Sequence, residues 1–443
     1  MRLALLATLA WTAFAQLSLP EAVRLAGEKY PSVQASLADV KTAAAGVQLA
    51  RTAYLPRADF LAQLNRATRN NVTGMLLPQP VIPSISGPAV TVNAGTNVWG
   101  TATGFLVTWE PFDFGLRGAR VDAARASQVR AEAAVAVSRL EAEAAAGDAY
   151  LTVLAAGEAL AGANAGRDRA AAFLRVVAAL AASGLRPGAD EARARAELAL
   201  AESQTIQAAQ AVRAARATLV QLTGADASTV LAAPPAPPSS LAAAAGEHPS
   251  VREQTAATEE IASRLKVLDK SWAPRFSAQS ALYARGTGAF PDGTTGGPAS
   301  GLGPSYYNWG VGFTVFFPIL EIQSIKAERE AETSRKVASQ SRLDLIQREL
   351  AAQRERAAAQ LEAAERIARL APIQLEAARS AEQQAQARYQ SGLAAITEVA
   401  EAQRLLVQAE VDQRLAGLNV WRGWLAVALA RGDLQPFVEA AGK

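Results

Sequence analysis

The sequence predicts a mainly α-helical chain with a membrane β-barrel part, built as two structural repeats. Three observations carry this reading. Short motifs occur twice at a fixed spacing, long Ala-rich stretches have helical periodicity, and in two places the period changes from helical to two.

The duplication comes first. YPSV at 30–33 returns as HPSV at 248–251, and YLPR at 54–57 returns as WAPR at 272–275, each displaced by 218 positions. GFLVTWEPF from Gly104 answers GFTVFFPI from Gly312, and ASGLRPGADE from Ala182 answers QSGLAAITEV from Gln390, both displaced by 208. A repeat of this length is too long for a solenoid unit and indicates two homologous halves. The halves are expected at 16–230 and 241–433, joined by the Pro-rich linker LAAPPAPPSS at 231–240 and followed by a tail at 434–443.

The first 15 residues, MRLALLATLAWTAFA, have one basic residue, an apolar run and an Ala-Phe-Ala ending, the pattern of a signal peptide cleaved before Gln16. That run is shorter than the roughly 20 apolar residues a spanning helix needs, and no later segment reaches such a length without charges. The chain has no cysteine, which excludes disulfides, thiolate metal sites and a cysteine nucleophile. Half of the 443 residues are hydrophobic, much of this alanine, which suits closely packed long helices. The net charge is only +3 because Arg and Glu are interleaved, so no basic patch for nucleic acid arises.

In the first half, helical spacing over 31–53 ends at Tyr54-Leu55-Pro56. A strand follows from Arg57, with Phe60, Ala62 and Leu64 on one face and Asp59, Gln63 and Asn65 on the other. Residues 70–97 read as a loop, with an Asn71-Val72-Thr73 sequon that is common by chance. In the return strand, Trp99, Thr101, Thr103, Phe105, Val107 and Trp109 oppose Gly100, Ala102, Gly104 and Thr108. Aromatics at both ends of an apolar face resemble the girdled strands of membrane barrels.

The second half repeats the plan, with a strand from Arg275 and a Gly-rich loop over roughly 286–304 that reads as flexible. The return strand alternates Val311, Phe313, Val315 and Phe317 with glycines and Thr314, and carries Tyr306, Tyr307 and Trp309 at its loop end. The hairpins fall at about 55–110 and 274–318. Four strands cannot close a barrel; known barrels have at least eight, and three chains would supply twelve.

Residues 116–182, as one helix, would be about 100 Å long. Residues 189–223 and 241–270 would be about 50 and about 45 Å, so two shorter helices match one long one. The second half follows the same plan with 321–390, 395–432 and the opening helix of the first half. Gly147, Gly157, Gly162 and Gly166 weaken the first long helix, and Pro372 should kink the second.

Signal peptide, duplicated strand hairpins, WEPFDFGLRGARVDAA running from strand into helix, and YQSGLAAITEVAEAQ together resemble the TolC-type outer-membrane efflux proteins. The resemblance implies a homotrimer in the bacterial outer membrane, with one 12-stranded barrel and a long α-helical barrel in the periplasm. It implies a passive exit duct for small molecules or proteins, without catalysis or cofactor, whose partners are a periplasmic adaptor, an inner-membrane pump and outer-membrane lipid. By position, Ser183, Gly184 and Leu185 and again Ser391, Gly392 and Leu393 would be helix-hairpin tips that meet the adaptor. Glu398 and Glu401 would line the closed constriction as a carboxylate ring favouring cations, and Asp190 with Tyr389 would latch neighbouring helix pairs. Ala394 stands where some members place a latch arginine. Trp99, Trp109, Tyr306, Tyr307, Trp309, Phe313 and Phe317 would anchor the barrel in lipid.

Plainer readings account for several of these residues. Asp190 and Glu398 lie in first helical turns, where the macrodipole stabilises a carboxylate by about 0.3–1 kcal/mol. His248, the single histidine, corresponds to Tyr30 and reads as a helix-boundary residue. The strand aromatics would also suit a soluble sandwich core. The competing function is a periplasmic coiled-coil structural or adhesive protein without a pore. No triad, histidine metal set or phosphate loop is present in the sequence.

Overall fold

The computed structural model describes residues 16–68, 96–185, 187–243, 246–290, 292 and 294–443. The signal-peptide stretch, most of the 70–97 loop and the Asn71 sequon lie outside them. The helices are α1 (Leu19–Lys29), α2 (Pro31–Thr52), α3 (Leu116–Ala182), α4 (Gly188–Thr223), α5 (Pro249–Ser271), α6 (Ile322–Gln390), α7 (Ile396–Arg431) and α8 (Gln435–Ala441). The strands are β1 (Arg57–Thr68), β2 (Asn97–Phe112), β3 (Arg275–Thr287) and β4 (Tyr306–Phe316). No described helix is long and apolar enough to cross a membrane.

Two compact units are formed, each from several stretches of chain. One comprises Met1–Asp39, Ala131–Thr255 and Ser341–Lys443, the other Val40–Arg130 and Ala256–Gln340.

The first unit is helical. Its main core gathers Leu19 and Val23 of α1, Tyr150 and Leu151 of α3, Trp421, Trp424 and Leu425 of α7, and Phe437 of α8. Trp421 and Phe437 meet edge to face at 5.5 Å, so the expected tail is a packed helix. Helix α1, which periodicity alone did not single out, carries a sequence signal. Ser18 caps it by accepting from the Glu21 N–H at 3.3 Å, with Pro20 in the first turn.

The linker is pinned. Trp421 and Trp424 donate their indole N–H to the carbonyls of Pro235 and Pro238, each at 3.0 Å. Leu17 pairs in parallel with Leu231. The Tyr150 hydroxyl lies 2.8 Å from the Leu17 carbonyl and 2.5 Å from that of Ala232. Burial pushes its pKa up to about 12, so it remains a donor.

Helix α5 begins at Pro249 rather than 241, and Pro249 suits a first helical turn. Before it, the buried His248 accepts from the Ser250 N–H through Nδ1 at 3.2 Å, so Nε2 carries the proton donated to the Leu429 carbonyl at 3.3 Å.

Helix α3 is continuous through its glycines, and α6 is helical on both sides of Pro372. Two of the glycines let α7 approach: a Cβ at Gly162 would stand 2.5 Å from Val411 Cγ2, and one at Gly166 3.0 Å from Val407 Cγ2. The same helix pair is bridged by Arg169 to Glu410 at 2.8 Å and Arg414 to Glu158 at 3.1 Å.

The second unit contains an antiparallel sheet in the order β1-β2-β3-β4, with helix ends of α2, α3, α5 and α6. At the β2–α3 elbow the Asp113 carboxylate accepts from the backbone N–H of Arg117 at 2.6 Å and from its Nε at 3.0 Å. Arg117 is buried, stacks over the Tyr54 ring and donates to the Ala53 carbonyl at 3.2 Å. Phe114 is held at φ 53° beside it. The equivalent junction after β4 is a short 3-10 turn, Ile319–Glu321, with Leu320 fully in the open. In the Gly-rich loop after β3, Gly288 N–H donates to the Trp99 carbonyl at 2.9 Å, and Ala289 pairs with Thr295. Glycine there permits backbone to lie directly on backbone, as at Gly301, where a Cβ would meet the Trp99 carbonyl.

His248 makes stability depend on pH. Burial pushes its pKa below the ordinary 6.5, reinforced by nearby Arg354 and opposed by the Leu429 hydrogen bond. The fold then binds fewer protons than the unfolded chain below that value. This contribution is complete above about pH 6.5 and is lost as pH falls toward the folded pKa. The melting temperature is expected to fall between pH 7.5 and 5, and His248→Gln should flatten that slope in parallel thermal scans.

Candidate gate and membrane face

Both helix-hairpin turns are built alike, from Ser-Gly-Leu. After α3, Gly184 takes φ 75°, its N–H donates to the Ala181 carbonyl at 3.0 Å, and the Leu185 N–H reaches the Leu180 carbonyl at 3.0 Å. After α6, Gly392 takes φ 77°, donates to Tyr389 at 3.0 Å, and Leu393 N–H reaches Arg388 at 2.8 Å. This is the Schellman pattern, which needs glycine at the left-handed position. Ser183 and Ser391 bond back to the carbonyls of Leu180 and Ala387. The leucine that usually folds back onto the helix in this motif points outward instead: Leu185 is 71% and Leu393 72% exposed.

Beside the tips, Phe173, Val177, Ala194, Tyr389, Ala394, Ile396 and Val399 form a small buried core. Tyr389 is fully buried, its ring 5.5 Å from Phe173, and its hydroxyl donates to Asp190 Oδ2 at 3.0 Å. The α4 start and the α6 end are thereby joined within one chain. Ala394 is buried in this core.

Glu398 and Glu401 face solvent on α7, and each has an arginine nearby. Arg388 lies 3.5 Å from Glu398, and Arg404 lies 3.7 Å from Glu401 and 3.2 Å from Glu197 of α4. The sequence reading missed Arg388, Arg404 and Glu197. Arg404 stands three residues after Glu401, a spacing that places both on one helix face; Glu197 is distant in sequence and gave no such signal.

In the sheet, direct cross-strand partners share a face. Phe60, Phe105, Leu282 and Trp309 form one row across all four strands and are 61, 54, 61 and 78% exposed. Ala58, Val107, Ser280 and Val311 form the row on one side of it, and Ala62, Thr103, Ala284 and Tyr307 the row on the other. Trp109 and Phe313 also lie on this face, each opposite Ala278. The other face carries Arg57, Asp59, Gln63, Gln279, Tyr283, Arg285 and Asn308. Large apolar groups are exposed here and most charged ones lie on the other side, so this face forms no sandwich core within the chain.

Two of the aromatics expected as membrane anchors, Tyr306 and Phe317, lie off the apolar face of the strands, and a third is partly covered. Tyr306 pairs with Arg285 and lies on the polar face, because the residue alternates with Tyr307. Phe317 falls just beyond β4, ended by Pro318. Trp99 is on the apolar face but half-covered, with the Arg66 guanidinium 5.1 Å from its ring centre. Phe112 was not anticipated: a register shift after Trp109 sets it opposite Phe276, in a cluster with Phe114.

Comparison with known proteins agrees with this architecture. No curated protein matches the sequence significantly. Among solved structures, the outer-membrane channel OprN superposes with a TM-score of 0.75 at 19% identity, over 95% of this chain and 91% of that one. The Campylobacter jejuni CmeC outer membrane channel gives 0.78 at 16% identity, over 95% and 87%. The Neisseria gonorrhoeae MtrE outer membrane channel, in its open state, gives 0.69 at 17%, over 94% and 89%. The sequence itself matches the outer membrane efflux protein family over residues 22–225 and 241–432. With most of the chain matched, in both halves, the protein belongs to the outer membrane efflux protein family, the TolC-like channels of the bacterial outer membrane.

Proposed function

We propose that three copies of this efflux channel assemble into one 12-stranded barrel, giving an exit duct that receives its cargo from a periplasmic adaptor and an inner-membrane pump. The carrying observation is the four-stranded sheet with an apolar outer face and two unpaired edges, β1 and β4. In hydrocarbon an unpaired strand edge costs several kcal/mol per group, so the sheet needs neighbours. Up-and-down order makes β4 of one copy antiparallel to β1 of the next. Exposed apolar residues of α6, among them Val337, Leu345, Ile367, Leu370 and Ile373, supply further surface for neighbouring copies. Detergent-extracted protein should run as a heat-modifiable trimer on gels and form channels in planar bilayers; a stable, well-folded monomer without conductance would favour the periplasmic scaffold instead.

In this reading the Ser-Gly-Leu tips mark the periplasmic mouth, and the Tyr389–Asp190 bond holds it shut. Glu398 and Glu401 line the constriction, with their charge partly offset by Arg388 and Arg404, so cation preference is weaker than bare carboxylates would produce. Opening is an iris-like displacement of α6 and α7 biased by contacts at the tips. The two outward leucines fit an apolar contact with the adaptor.

Two variants test the mouth. Tyr389→Phe keeps the ring packing but removes the hydroxyl. It should raise the closed-state conductance by about ten- to a hundredfold, as expected for one hydrogen bond to a carboxylate worth about 1.5–3 kcal/mol. Leu185→Asp with Leu393→Asp should leave channel conductance intact while weakening adaptor capture in pull-down assays, because both side chains are mostly exposed.

A further inference from the structure

The outward face of the sheet is uncharged except at one point. Among the described strand residues with a paired register, Arg57, Asp59, Arg275 and Arg285 all lie on the polar face, and Arg66 is the single charged side chain on the other. It is opposite Trp99 near the end of β1, two rows beyond Ala62 and Thr103 along the strand.

Its level relative to the membrane follows from the strands. Trp99 and Trp109 bracket the apolar face of β2 and are ten residues apart, about 34 Å along a strand at about 3.4 Å per residue. Tilted by about 40°, this projects to about 26 Å, close to the apolar band of a transmembrane barrel. The Trp109 end adjoins the helices through the Tyr54 carbonyl, which accepts from its indole N–H at 3.1 Å. Arg66 and Trp99 therefore stand at the opposite, external rim, at headgroup depth.

The side chain is also oriented. Its guanidinium lies over the Trp99 ring at 5.1 Å, and its Nε donates to Asn97 Oδ1 at 2.8 Å. The residue is exposed, and the two terminal nitrogens are the ones available to a ligand. A planar cation stacked on an aromatic face, steadied through Nε at the upper boundary of an apolar wall, matches a phosphate ester attached to acyl chains, which carries its anion and its hydrocarbon at these two levels.

We propose that Arg66, positioned by Trp99 and Asn97, binds the phosphate monoester of an outer-leaflet lipid, a more highly charged group than the zwitterionic phosphodiester of phosphatidylcholine, so that each chain holds such a lipid against its sheet. The assignment rests on the outer-membrane barrel reading above.

The test compares the protein in phosphatidylcholine vesicles with the same vesicles doped with a bisphosphorylated glycolipid, lipid A, or with its dephosphorylated form. Lipid A should raise the thermal midpoint of the wild type, and the dephosphorylated form should not. Arg66→Gln should lose most of that shift while keeping the wild-type midpoint in phosphatidylcholine. Arg66→Lys, which keeps the charge without the planar fork, should retain only part of it and serves as the second variant if the first misfolds. An equal shift in all three proteins, an equal response to the dephosphorylated lipid, or the same shift from inorganic phosphate alone would overturn the proposal. Failure of the wild type to insert into any vesicle would remove the barrel reading and this inference with it, an outcome distinct from insertion without an Arg66-dependent shift.

Discussion

The sheet's two open edges are the constraint on which the rest of the structure depends. Four strands of eleven to sixteen residues are too few to close on themselves, yet their outward face exposes large apolar side chains. In hydrocarbon every backbone donor and acceptor must be paired, and only closed barrels or helices achieve this. A chain that devotes one face to Phe60, Phe105, Leu282 and Trp309 is consistent with other copies at its edges. In the proposed trimer the duplication has the same logic: each half contributes one hairpin, and equivalent staves would tile a circular wall more readily than unlike ones.

The helices solve a different problem. With an alanine-rich surface and few large core residues, they gain contact by approaching closely, and Gly162 and Gly166 let α7 settle against α3. Bridges such as Arg169–Glu410 add orientation rather than much stability, since partly exposed pairs contribute little. The large apolar residues are concentrated instead around Trp421, Trp424 and Phe437, where the linker carbonyls are also captured. The two halves are not mechanically equal. The junction after β2 is locked by the buried Asp113–Arg117 pair and its hydrogen bonds, whereas the one after β4 has only a short exposed turn. A paired carboxylate that accepts from both backbone and guanidinium makes the first junction the stiffer.

At the tips, repetition was informative because glycine chemistry is local. The SGL triplets could be read as turns from composition, and the left-handed glycines fit that reading. Their environment could not be read in the same way. The position of Ala394 acquires meaning only when it is seen buried between Tyr389 and Ile396, and the arginines beside Glu398 and Glu401 come from one position upstream of Tyr389 and from one turn along α7. The loop after β3 makes a backbone bond to Trp99, a contact between residues almost two hundred positions apart.

The sequence by itself determined the class of this protein: the repeat, the long helices, the strand hairpins with their alternating faces, and the glycine turns. These features arise from short-range periodicity and from backbone preferences of individual residues, both of which are written in neighbouring positions. Only the tertiary structure decided which aromatic lies on which face, where α5 begins, how the linker is pinned, and which arginine accompanies which carboxylate. A one-residue change of phase moves a side chain such as Tyr306 to the opposite face of its strand, and an ion pair such as Arg404–Glu197 depends on two helices meeting in a register that no local pattern encodes.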